Sequence, residues 1–534
     1  MRWFDAAVIC GWVFAWCAPA AAQTPEFRAM WATRFEWPHA SQDICQAAID
    51  ELMSDLADAH FNAVFFQIRG QADVLYPSPV EVWSPLIGGQ DPGWDPLAYA
   101  IQAAHAHGIQ FHAYINTHTC WQSVPAAAHT LPENPNHTFY AHCNAADPAA
   151  RDWLLHDNLT APAQFGESHY VWFAPGVPAC QAYTRQQVLY VVEHYDVDGV
   201  HFDRIRTPGT NTVSWDPVSR ARFLDPRTNP EGLDFSAWTA DQITRSVRDM
   251  YAAIMALKPH VQVSAAVYPN PTTAPTAQHQ DALGWAAAGA MDLLVPMMYY
   301  GGGAGTAWDT WLQYWLAATS GCETYIVPGH STSQGVSSLV DQINLARLRA
   351  AAGNSVFSWS SFSFWTTYRE GVYAVAAPVP ALPWKANPTT GIIVGHVTAP
   401  DGLPVTDAQV HAAGCTHTAL SSTDGFYSFV HLPPGTYTLS ATHPDYRAVS
   451  LPDVVVAAGA VVACPLAFVE TTPAGDFNDN GWIDPGDLAP MLYCLGGPGY
   501  GFLPGHFCAT GDGDADADVD LRDVALFQRY YGVP

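Results

Sequence analysis

The chain has few basic residues: 21 Lys and Arg stand against 49 Asp and Glu in 534 residues, giving a formal net charge of −28. A chain with so few positive charges is poorly suited to bind the phosphates of nucleic acid or an anionic membrane surface. We therefore expect no nucleic-acid partner. The acidic excess is partly local, because eleven acidic and two basic residues lie from Glu470 onward. That bias indicates a cation-binding tail.

Long apolar runs are also lacking, and no stretch beyond the N-terminus is long enough to cross a bilayer as a helix. The N-terminus carries Arg2, an apolar core over residues 6–17 and the small residues 20–22 before Gln23. This order is typical of a secretory signal peptide over residues 1–22. We therefore expect no membrane span and a secreted protein, whether extracellular, on the cell surface or periplasmic.

The chain contains 11 cysteines, and secretion would place those of the mature protein in an oxidising compartment. Two pairs each lie within one predicted domain, and we expect both to be disulfides: Cys494–Cys508 and Cys415–Cys464. Cys120 and Cys143 form a further candidate pair.

Strands and helices alternate between residues 27 and 376, with eight near-continuously apolar strands. Strands of that kind are buried on both faces, so the sheet should be parallel and closed. The pattern predicts an α/β fold, a (β/α)₈ TIM barrel over residues 23–376. The loops after strands two, three and four are long and rich in Trp, Pro and Gly, which marks the functional face of a barrel.

The stretch YDVDGVHFDRIRTPG (residues 195–209) places Asp203 at the C-terminal end of a short buried strand. A TIM barrel presents catalytic acids at this position. Side chains alternate along a strand, so His201 and Asp203 should face inward and Arg204 should face the surrounding helices. Arg206, beyond the strand end, should be the nearer neighbour of the site. The structural alternative is that Asp203 caps the loop or pairs with Arg204 or Arg206.

Glycoside cleavage generally needs two carboxylates, and we expect Asp203 to be the principal one, acting as the acid. Asp73 and Glu36 rank first as the second catalytic residue, ahead of Glu81 and Asp216. Assistance by an N-acetyl group of the substrate would remove the need for a second nucleophile.

Polar and aromatic residues at the other strand ends could bind sugar. Guanidinium groups grip hydroxyls or carboxylates in two-bond geometry, although salt bridges to nearby acids are an equal alternative. Histidines and aromatic rings could equally be core, and three of the histidines could form a zinc cluster, although their spacing is not diagnostic. The candidate substrate-binding residues are Arg34, Arg69, His112, Tyr114, Asn116, Trp121, His201, Arg206, Tyr299, His330 and Trp359. We expect no cofactor in the barrel.

Several ordered segments, RAMWATRFEW, NAVFFQIRGQADVLYPSPVEVWSP, DPLAYAIQAAHAHGIQFHAYIN, VWFAPGVP and DGVHFDRIRTPG, resemble the bacterial glycosyl-hydrolase-like family 10. The resemblance covers roughly residues 26–376. It implies a glycosidase-like barrel associated with bacterial envelope glycans, including peptidoglycan, with Asp203 as the carboxylate at the end of strand four. Many relatives have a second Asp next, where this chain has Arg204.

A Pro-rich linker, semi-extended by composition, spans residues 377–389. Residues 390–469 alternate with period two between turn signals, which predicts a small β-sandwich. The segments GHVTAPDGLPVTDAQV and TDGFYSFVHLPPGTYTLSA resemble the carboxypeptidase-regulatory-like sandwich. The resemblance implies a spacer, with sugar or partner binding as the alternative.

Residues 470–534 contain two acidic loops with the ligand spacing of a calcium loop. The ligand positions are Asp476, Asn478, Asn480, Asp484 and Asp487 in the first loop, and Asp512, Asp514, Asp516, Asp520 and Asp523 in the second. Gly481 supports the sharp turn of the first loop, and Ala517 stands at the same place in the second. The pattern resembles a dockerin type I module, which implies two Ca²⁺ ions and a cohesin-like or cell-surface protein partner. The alternative is a solvated acidic tail that binds no cation.

Together these features predict a secreted glycoside hydrolase acting on a bacterial envelope or other extracellular polysaccharide and docked through a calcium-dependent module. One alternative is a non-catalytic glycan-binding barrel. Another is a structural component of a surface assembly, in which docking is the main role.

Overall fold

The structure is a computed structural model. It describes residues 24–156, 165–209, 214–415, 417–469, 474–478, 483–499, 501–502, 506–514 and 516–531. The expected signal peptide and the expected ligand Asn480 lie outside the described residues. None of the helices in the described part of the chain combines the length and apolar character needed to cross a bilayer.

Eight parallel strands form a TIM-like barrel. They are β1 (Phe27–Ala32), β2 (Ala63–Arg69), β3 (Gln110–Asn116), β4 (Gly199–Asp203), β5 (Gln262–Val267), β6 (Leu293–Pro296), β7 (Tyr325–Ile326 and Gly329–Ser331) and β8 (Gly353–Phe357). Each strand pairs with the next, and β8 pairs with both β1 and the second piece of β7. The first piece of β7 pairs with β6, so the sheet returns on itself through this interrupted strand. The predicted parallel sheet is confirmed, and its strand order is consistent with a TIM-like barrel.

Helices follow the strands and cover the outside of the barrel. They are α1 (Gln42–Asp58), α2 (Pro96–Ala106), α3 (Pro178–His194), α4 (Phe235–Leu257), α5 (Ala282–Ala287), α6 (Ala307–Ala318) and α7 (Val336–Leu348), with a short closing turn Trp365–Thr367. Helix α4 shows why they pack. Its buried Ile243, Val247, Met250 and Ile254 recur every three or four residues and form one apolar face.

The inward faces of the strands fill the barrel with aromatic rings. The ring of Trp31 lies 5.2 Å from that of His201, 5.3 Å from Phe357 and 6.1 Å from Tyr114, between centroids. Tyr299 completes this layer at 6.5 Å from Trp31. The layer forms the floor of the mouth, the opening at the C-terminal ends of the strands.

The long loop after β3 has its own small core beside the mouth. Its strands Thr119–Trp121 and Val171–Trp172 pair antiparallel, and the helix Thr138–His142 packs with them. Cys120 and Cys143 are buried in this core as free thiols, so the candidate disulfide between them is absent from the structure.

The segment expected to be a semi-extended linker instead closes the opposite, N-terminal end of the barrel. Leu382 and Trp384 pack into the barrel interior cluster. The indole N–H of Trp384 donates to buried Asp292 at 2.8 Å, and the ammonium of Lys385 lies 3.1 Å from the same carboxylate. The composition predicted an extended linker. Instead, the side chains of Leu382 and Trp384 are packed against the barrel, which fixes the segment in place.

The sandwich has two sheets around one core. One contains Phe426–Leu432, Gly391–Thr398, Val461–Ala463 and Leu466–Ala467, and the other contains Ala419–Leu420, Gln409–Ala412, Gly435–His443 and Tyr446–Val456. The expected Cys415–Cys464 disulfide is wrong for this structure, where both are free thiols.

The sandwich packs directly on the barrel. Arg185 of α3 lies 4.3 Å above the ring of Phe426 and pairs with Asp424 at 2.6 Å. Ser428 donates to Asp249 of α4 at 2.6 Å. The sandwich, which was expected to be a spacer, therefore contacts two barrel helices through both charged and apolar side chains.

The C-terminal region repeats one local structure twice. Asp487 accepts backbone N–H bonds from Phe477 and Asn478, and Asp523 accepts the same pair from Gly513 and Asp514. Helices Pro485–Cys494 and Leu521–Tyr530 follow the two loops. The expected disulfide Cys494–Cys508 is confirmed.

Candidate active site

Asp203 ends β4 and lies half-buried in the mouth. The hydroxyl of Tyr114 donates to one carboxylate oxygen at 2.7 Å, and the backbone N–H of Arg204 donates to the other at 2.6 Å. The strand lies close to β3 because Gly199 has no side chain; a Cβ there would be 2.2 Å from the ring of His112. Asp203 therefore faces inward, and its carboxylate is oriented by two donors.

Two tyrosines beside Asp203 keep their protons. Burial and the charge of Asp203 raise the pKa of both Tyr114 and Tyr299 well above the usual value. The buried hydroxyl of Tyr299 has no hydrogen-bond partner among the described residues. It is a donor available to a ligand in the mouth.

The prediction that Arg204 faces the helices is wrong. Its φ of 55° is left-handed, so the strand alternation ends at Asp203. The guanidinium turns over the rings of Tyr170, at 4.7 Å, and Trp172, at 5.7 Å. Its buried Nη1 has no partner in the described part of the chain. Arg204 therefore belongs to the mouth.

Arg206 lies beside the site as expected, but its guanidinium is already engaged. It pairs with Glu167 at 2.6 Å and lies over the rings of Trp172 and Tyr268. Burial opposes ionisation of Glu167, yet the hydrogen bond and charge of Arg206 lower its pKa overall. Glu167 is not among the residues predicted from the sequence, because nothing but its position in a long loop marks it.

Arg34 crosses the mouth on the side of β1 and β2. Its buried guanidinium donates to the side chains of Gln71, Gln122 and Tyr170 at 2.9–3.1 Å. Gly70 allows this path, since a Cβ there would lie 2.4 Å from the Arg34 side chain. Arg34 links the loops that surround the mouth.

Arg69 is not placed to bind substrate. It forms a fully buried ion pair with Glu81 at 2.6 Å. A register shift between Gln67 and Arg69 pairs Arg69 with outward-facing Ile115, which takes its side chain off the inner face. The structural alternative, a salt bridge, is the one found.

Asp73 is a buried carboxyl at the rim of the mouth, 1% exposed. Burial raises its pKa to about 7, although the charge of Arg34 lowers it. One oxygen has no partner among the described residues, and the other accepts from Gln71 at 3.4 Å. Gln71 connects it to Arg34.

Glu36 lies at the ends of β1 and β8. One of its oxygens accepts from the hydroxyls of Ser358 and Ser360 at 2.6 and 2.7 Å and from the N–H of Ser360 at 3.1 Å. The other accepts from the N–H of Thr33. These donors hold Glu36 in place and occupy both of its oxygens.

The three candidate histidines are core residues. His112 and His201 lie inside the barrel, fully buried, and burial lowers the pKa of both. His330 faces the helices, because it pairs in register with outward-facing Val356, and it hydrogen bonds to Gln342 and Asn354. Among the described residues, the groups that could hold a metal are acidic clusters in the tail, so no zinc cluster is seen here.

Three more candidates are held by protein groups. Trp359 donates to Asp55 of α1, away from the mouth. Trp121 donates to the carbonyl of Thr130 in the loop core. Asn116 is beside Asp203 in the sheet and donates to the carbonyl of Gly70, while its buried Oδ1 has no partner among the described residues.

The tail brings acidic side chains together in two groups. Carboxylate oxygens of Asp512, Asp514 and Asp516 lie within 4.8 Å of one another, and those of Asp518, Asp520 and Asp523 do likewise. Asp518 was not among the expected ligands. Of the first loop, Asp476 and Asp487 are buried.

Asp203 lies at the C-terminal end of a barrel strand, which is where TIM-barrel enzymes carry their catalytic residues. The chain belongs to the glycosyl hydrolase-like 10 family, whose model matches residues 26–336. The carboxypeptidase regulatory-like domain model matches residues 392–467.

Two similar proteins are named glycosyl hydrolases. Glycosyl hydrolase YngK of Bacillus subtilis (strain 168) is 25% identical over 410 residues, which cover 68% of this chain and 74% of that protein. Glycosyl hydrolase DigH of Escherichia coli (strain K12) is 25% identical over 326 residues, covering 53% and 68%.

Among solved structures, the PgaB (BpsB) glycoside hydrolase domain from Bordetella bronchiseptica is similar with a TM-score of 0.45 and 13% identity. The matched region covers 65% of this chain and 98% of the Bordetella domain.

Proposed function

We propose that this protein is a secreted glycoside hydrolase that cleaves a bacterial envelope or other extracellular polysaccharide. Glycan strands of peptidoglycan are one substrate of this kind. The observation that carries the proposal is the Asp203 carboxylate, half-buried at the mouth and held by Tyr114 and the backbone of Arg204. Membership of the glycosyl hydrolase-like family supports it.

In this proposal Asp203 is the principal catalytic carboxylate and protonates the leaving oxygen. Tyr114 orients it, and the unpartnered hydroxyl of Tyr299 donates to a sugar hydroxyl or carbonyl beside it. The second carboxylate is Glu36 or Asp73. Where the substrate carries an N-acetyl group, that group can take the nucleophile's part instead.

The test is a glycan digestion screen with the purified secreted protein, including peptidoglycan stripped of its peptides. Asp203→Asn is nearly isosteric but cannot exchange the proton, so the rate should fall on the order of a hundredfold or more. Asp196→Asn is the control, because Asp196 is exposed just before the same strand. Wild-type rates in Asp203→Asn would contradict the assignment.

A non-catalytic glycan-binding barrel is the second candidate. It is favoured by the state of the other carboxyls: Asp73 is 1% exposed, and both oxygens of Glu36 are hydrogen-bonded. Glycan that binds the wild type without release of reducing ends would support this candidate over hydrolysis.

We also propose that the tail binds two Ca²⁺ ions and docks the enzyme on a cohesin-like or cell-surface protein. The donor set fits, since carboxylate oxygens converge and hard oxygen ligands suit calcium. The repeated bonds to Asp487 and Asp523 support two equivalent sites. The same docking would also allow this protein to act as a structural component of a surface assembly.

Calorimetry of the full chain should find two ions bound, with Asp487→Asn and Asp523→Asn each removing one. Asp445→Asn, an exposed sandwich residue, is the control. Unchanged uptake in both tail variants would contradict the assignment.

A further inference from the structure

The guanidinium of Arg204 lies at the mouth without an acceptor. Its buried Nη1 has no hydrogen-bond partner, and the side chain forms no ion pair, among the residues that the structure describes. Two other arginines around the mouth are engaged, since Arg34 donates to three neutral side chains and Arg206 pairs with Glu167. A cation withdrawn from water is costly unless an acceptor compensates it.

The acids near Arg204 are already held by other donors. The two oxygens of Asp203 accept from the hydroxyl of Tyr114 and from the backbone N–H of Arg204, not from its guanidinium. Both oxygens of Glu167 accept from Arg206. The acceptor that the Arg204 guanidinium lacks is therefore one that a ligand can supply.

The position of Arg204 ties such a ligand to Asp203. The two residues are consecutive, and both are partly exposed, so a ligand that reaches the acid also meets the arginine. The guanidinium carbon lies 4.7 Å from the centroid of the Tyr170 ring and 5.7 Å from that of Trp172, and cation–π contacts of this kind hold it in place. Burial opposes the charge of Arg204, but the nearby charge of Asp203 raises its pKa overall.

A carboxylate is the ligand group that suits this guanidinium. Arginine binds carboxylates through two parallel N–H···O bonds, and such charged bonds are roughly twice as strong as bonds between neutral groups. A sugar hydroxyl would leave the charge of Arg204 uncompensated. The net charge of −28 does not prevent binding, because exposed charges farther away than a Debye length of about 8 Å are largely screened.

We propose that Arg204 binds a carboxylate on a sugar unit next to the bond that is cleaved at Asp203. Arg204 is then a specificity-determining residue, and the enzyme selects acidic glycans over neutral ones. This inference rests on the proposed function. The carboxylate belongs either to a lactyl ether, as in the glycan strands of peptidoglycan, or to a uronic acid.

The test measures binding by calorimetry to the full chain carrying Asp203→Asn, so that hydrolysis does not interfere. The first probe is the tetrasaccharide of alternating N-acetylglucosamine and N-acetylmuramic acid, and the second is the same molecule with its carboxylates converted to methylamides. A hyaluronan tetrasaccharide, which carries uronic acid, is the third. We expect conversion to the methylamide to weaken binding about tenfold if the carboxylate is lactyl.

Substitutions at Arg204 show whether this residue senses the carboxylate. Arg204→Asn, added to Asp203→Asn, should weaken binding of the acidic probe about tenfold and leave the methylamide within about twofold. Arg204→Lys keeps the charge without the two-bond geometry, so it should lose only a few-fold. Arg369→Asn is the matched control and should change nothing, because Arg369 is 45% exposed and follows Tyr368, which stacks on Phe61 before β2.

Three results overturn the inference: equal affinity for all acidic and neutral probes, an equal loss on every probe in Arg204→Asn, or no binding at millimolar concentration. The comparison between probes needs no substitution at Arg204, so it decides the question even if Arg204→Asn does not fold. Arg204-dependent binding of the muramic probe assigns the carboxylate to a lactyl ether, and that of hyaluronan alone assigns it to a uronic acid.

Hydrolysis by the wild type is measured separately, as release of reducing ends from the same probes. Carboxylate-dependent binding without hydrolysis would support the role of Arg204 while contradicting the proposed enzyme. Hydrolysis at equal rates on acidic and neutral probes would support the enzyme and contradict the role of Arg204.

Discussion

Buried carboxylates at the two ends of the barrel differ in how many of their oxygens have partners. At the N-terminal end, Asp292 accepts from the backbone of Val263 and the indole of Trp384 and pairs with Lys385. At the mouth, Asp73 is equally buried, but one of its oxygens has no partner among the described residues. Arg204 and Tyr299 also leave polar atoms unpartnered there.

A buried polar atom without a partner costs roughly 1–3 kcal/mol. A stable barrel can carry several such atoms only where other parts of the fold offset them, or where a ligand supplies the missing bonds. Asp292 and its partners therefore stabilise the N-terminal end, which we call the paired end, and the mouth is where a ligand would bind.

The largest effect should come from breaking the paired end. Asp292→Ala leaves the half-buried Lys385 ammonium and the Trp384 N–H without their acceptor, so we expect a loss of roughly 3–5 kcal/mol in the free energy of unfolding. Denaturant unfolding measures it. The folded fraction should keep its activity, since Asp292 is far from the mouth along β6.

Asp225→Ala is the control for this prediction. Asp225 pairs with Arg227, whose side chain is 52% exposed, so its loss should cost less than about 1 kcal/mol. Equal losses in the two variants would show that burial at the N-terminal end adds nothing to the ion pair.

The next effect should come from the mouth and depend on pH. The pKa of Asp73 is raised by burial to about 7, above its value of roughly 3.9 in an unfolded chain. The folded state therefore holds a proton that the unfolded state releases, and stability is lost as the pH rises from about 4 through 7.

Asp73→Asn removes this loss. The variant should be more stable than the wild type at pH 8, by up to about 4 kcal/mol, and similar to it at pH 4. Thermal unfolding at both pH values measures the difference. A constant difference across this range would contradict a titrating Asp73.

The sequence was sufficient to predict the parallel, TIM-like sheet and the position of Asp203 at a strand end, because both follow from local patterns. Apolar runs of strand length separated by amphipathic segments specify a parallel barrel, and a carboxylate at a strand end follows from counting along the run. The position of Glu36 beyond β1 was also found in this way.

The surroundings of Asp203 could not be predicted because they depend on contacts distant in sequence. Arg69 pairs with Glu81 because a register shift in β2 redirects its side chain, and no sequence pattern predicts that shift. Trp384 finds Asp292 across 92 residues. Arg204 leaves the strand alternation through a single left-handed φ, which sequence patterns rarely mark outside glycine and asparagine.

The smallest effect tests that left-handed backbone. Arg204→Asn and Arg204→Ala both remove the guanidinium from the rings of Tyr170 and Trp172, but only asparagine tolerates a positive φ well. The Asn variant should therefore be more stable than the Ala variant by about 0.5–1 kcal/mol. At Arg28, in the extended β1 near the paired end, the same two substitutions should show no advantage for asparagine. Denaturation midpoints of the four variants make the comparison, and an alanine at position 204 as stable as asparagine would mean that the backbone at the mouth is unstrained.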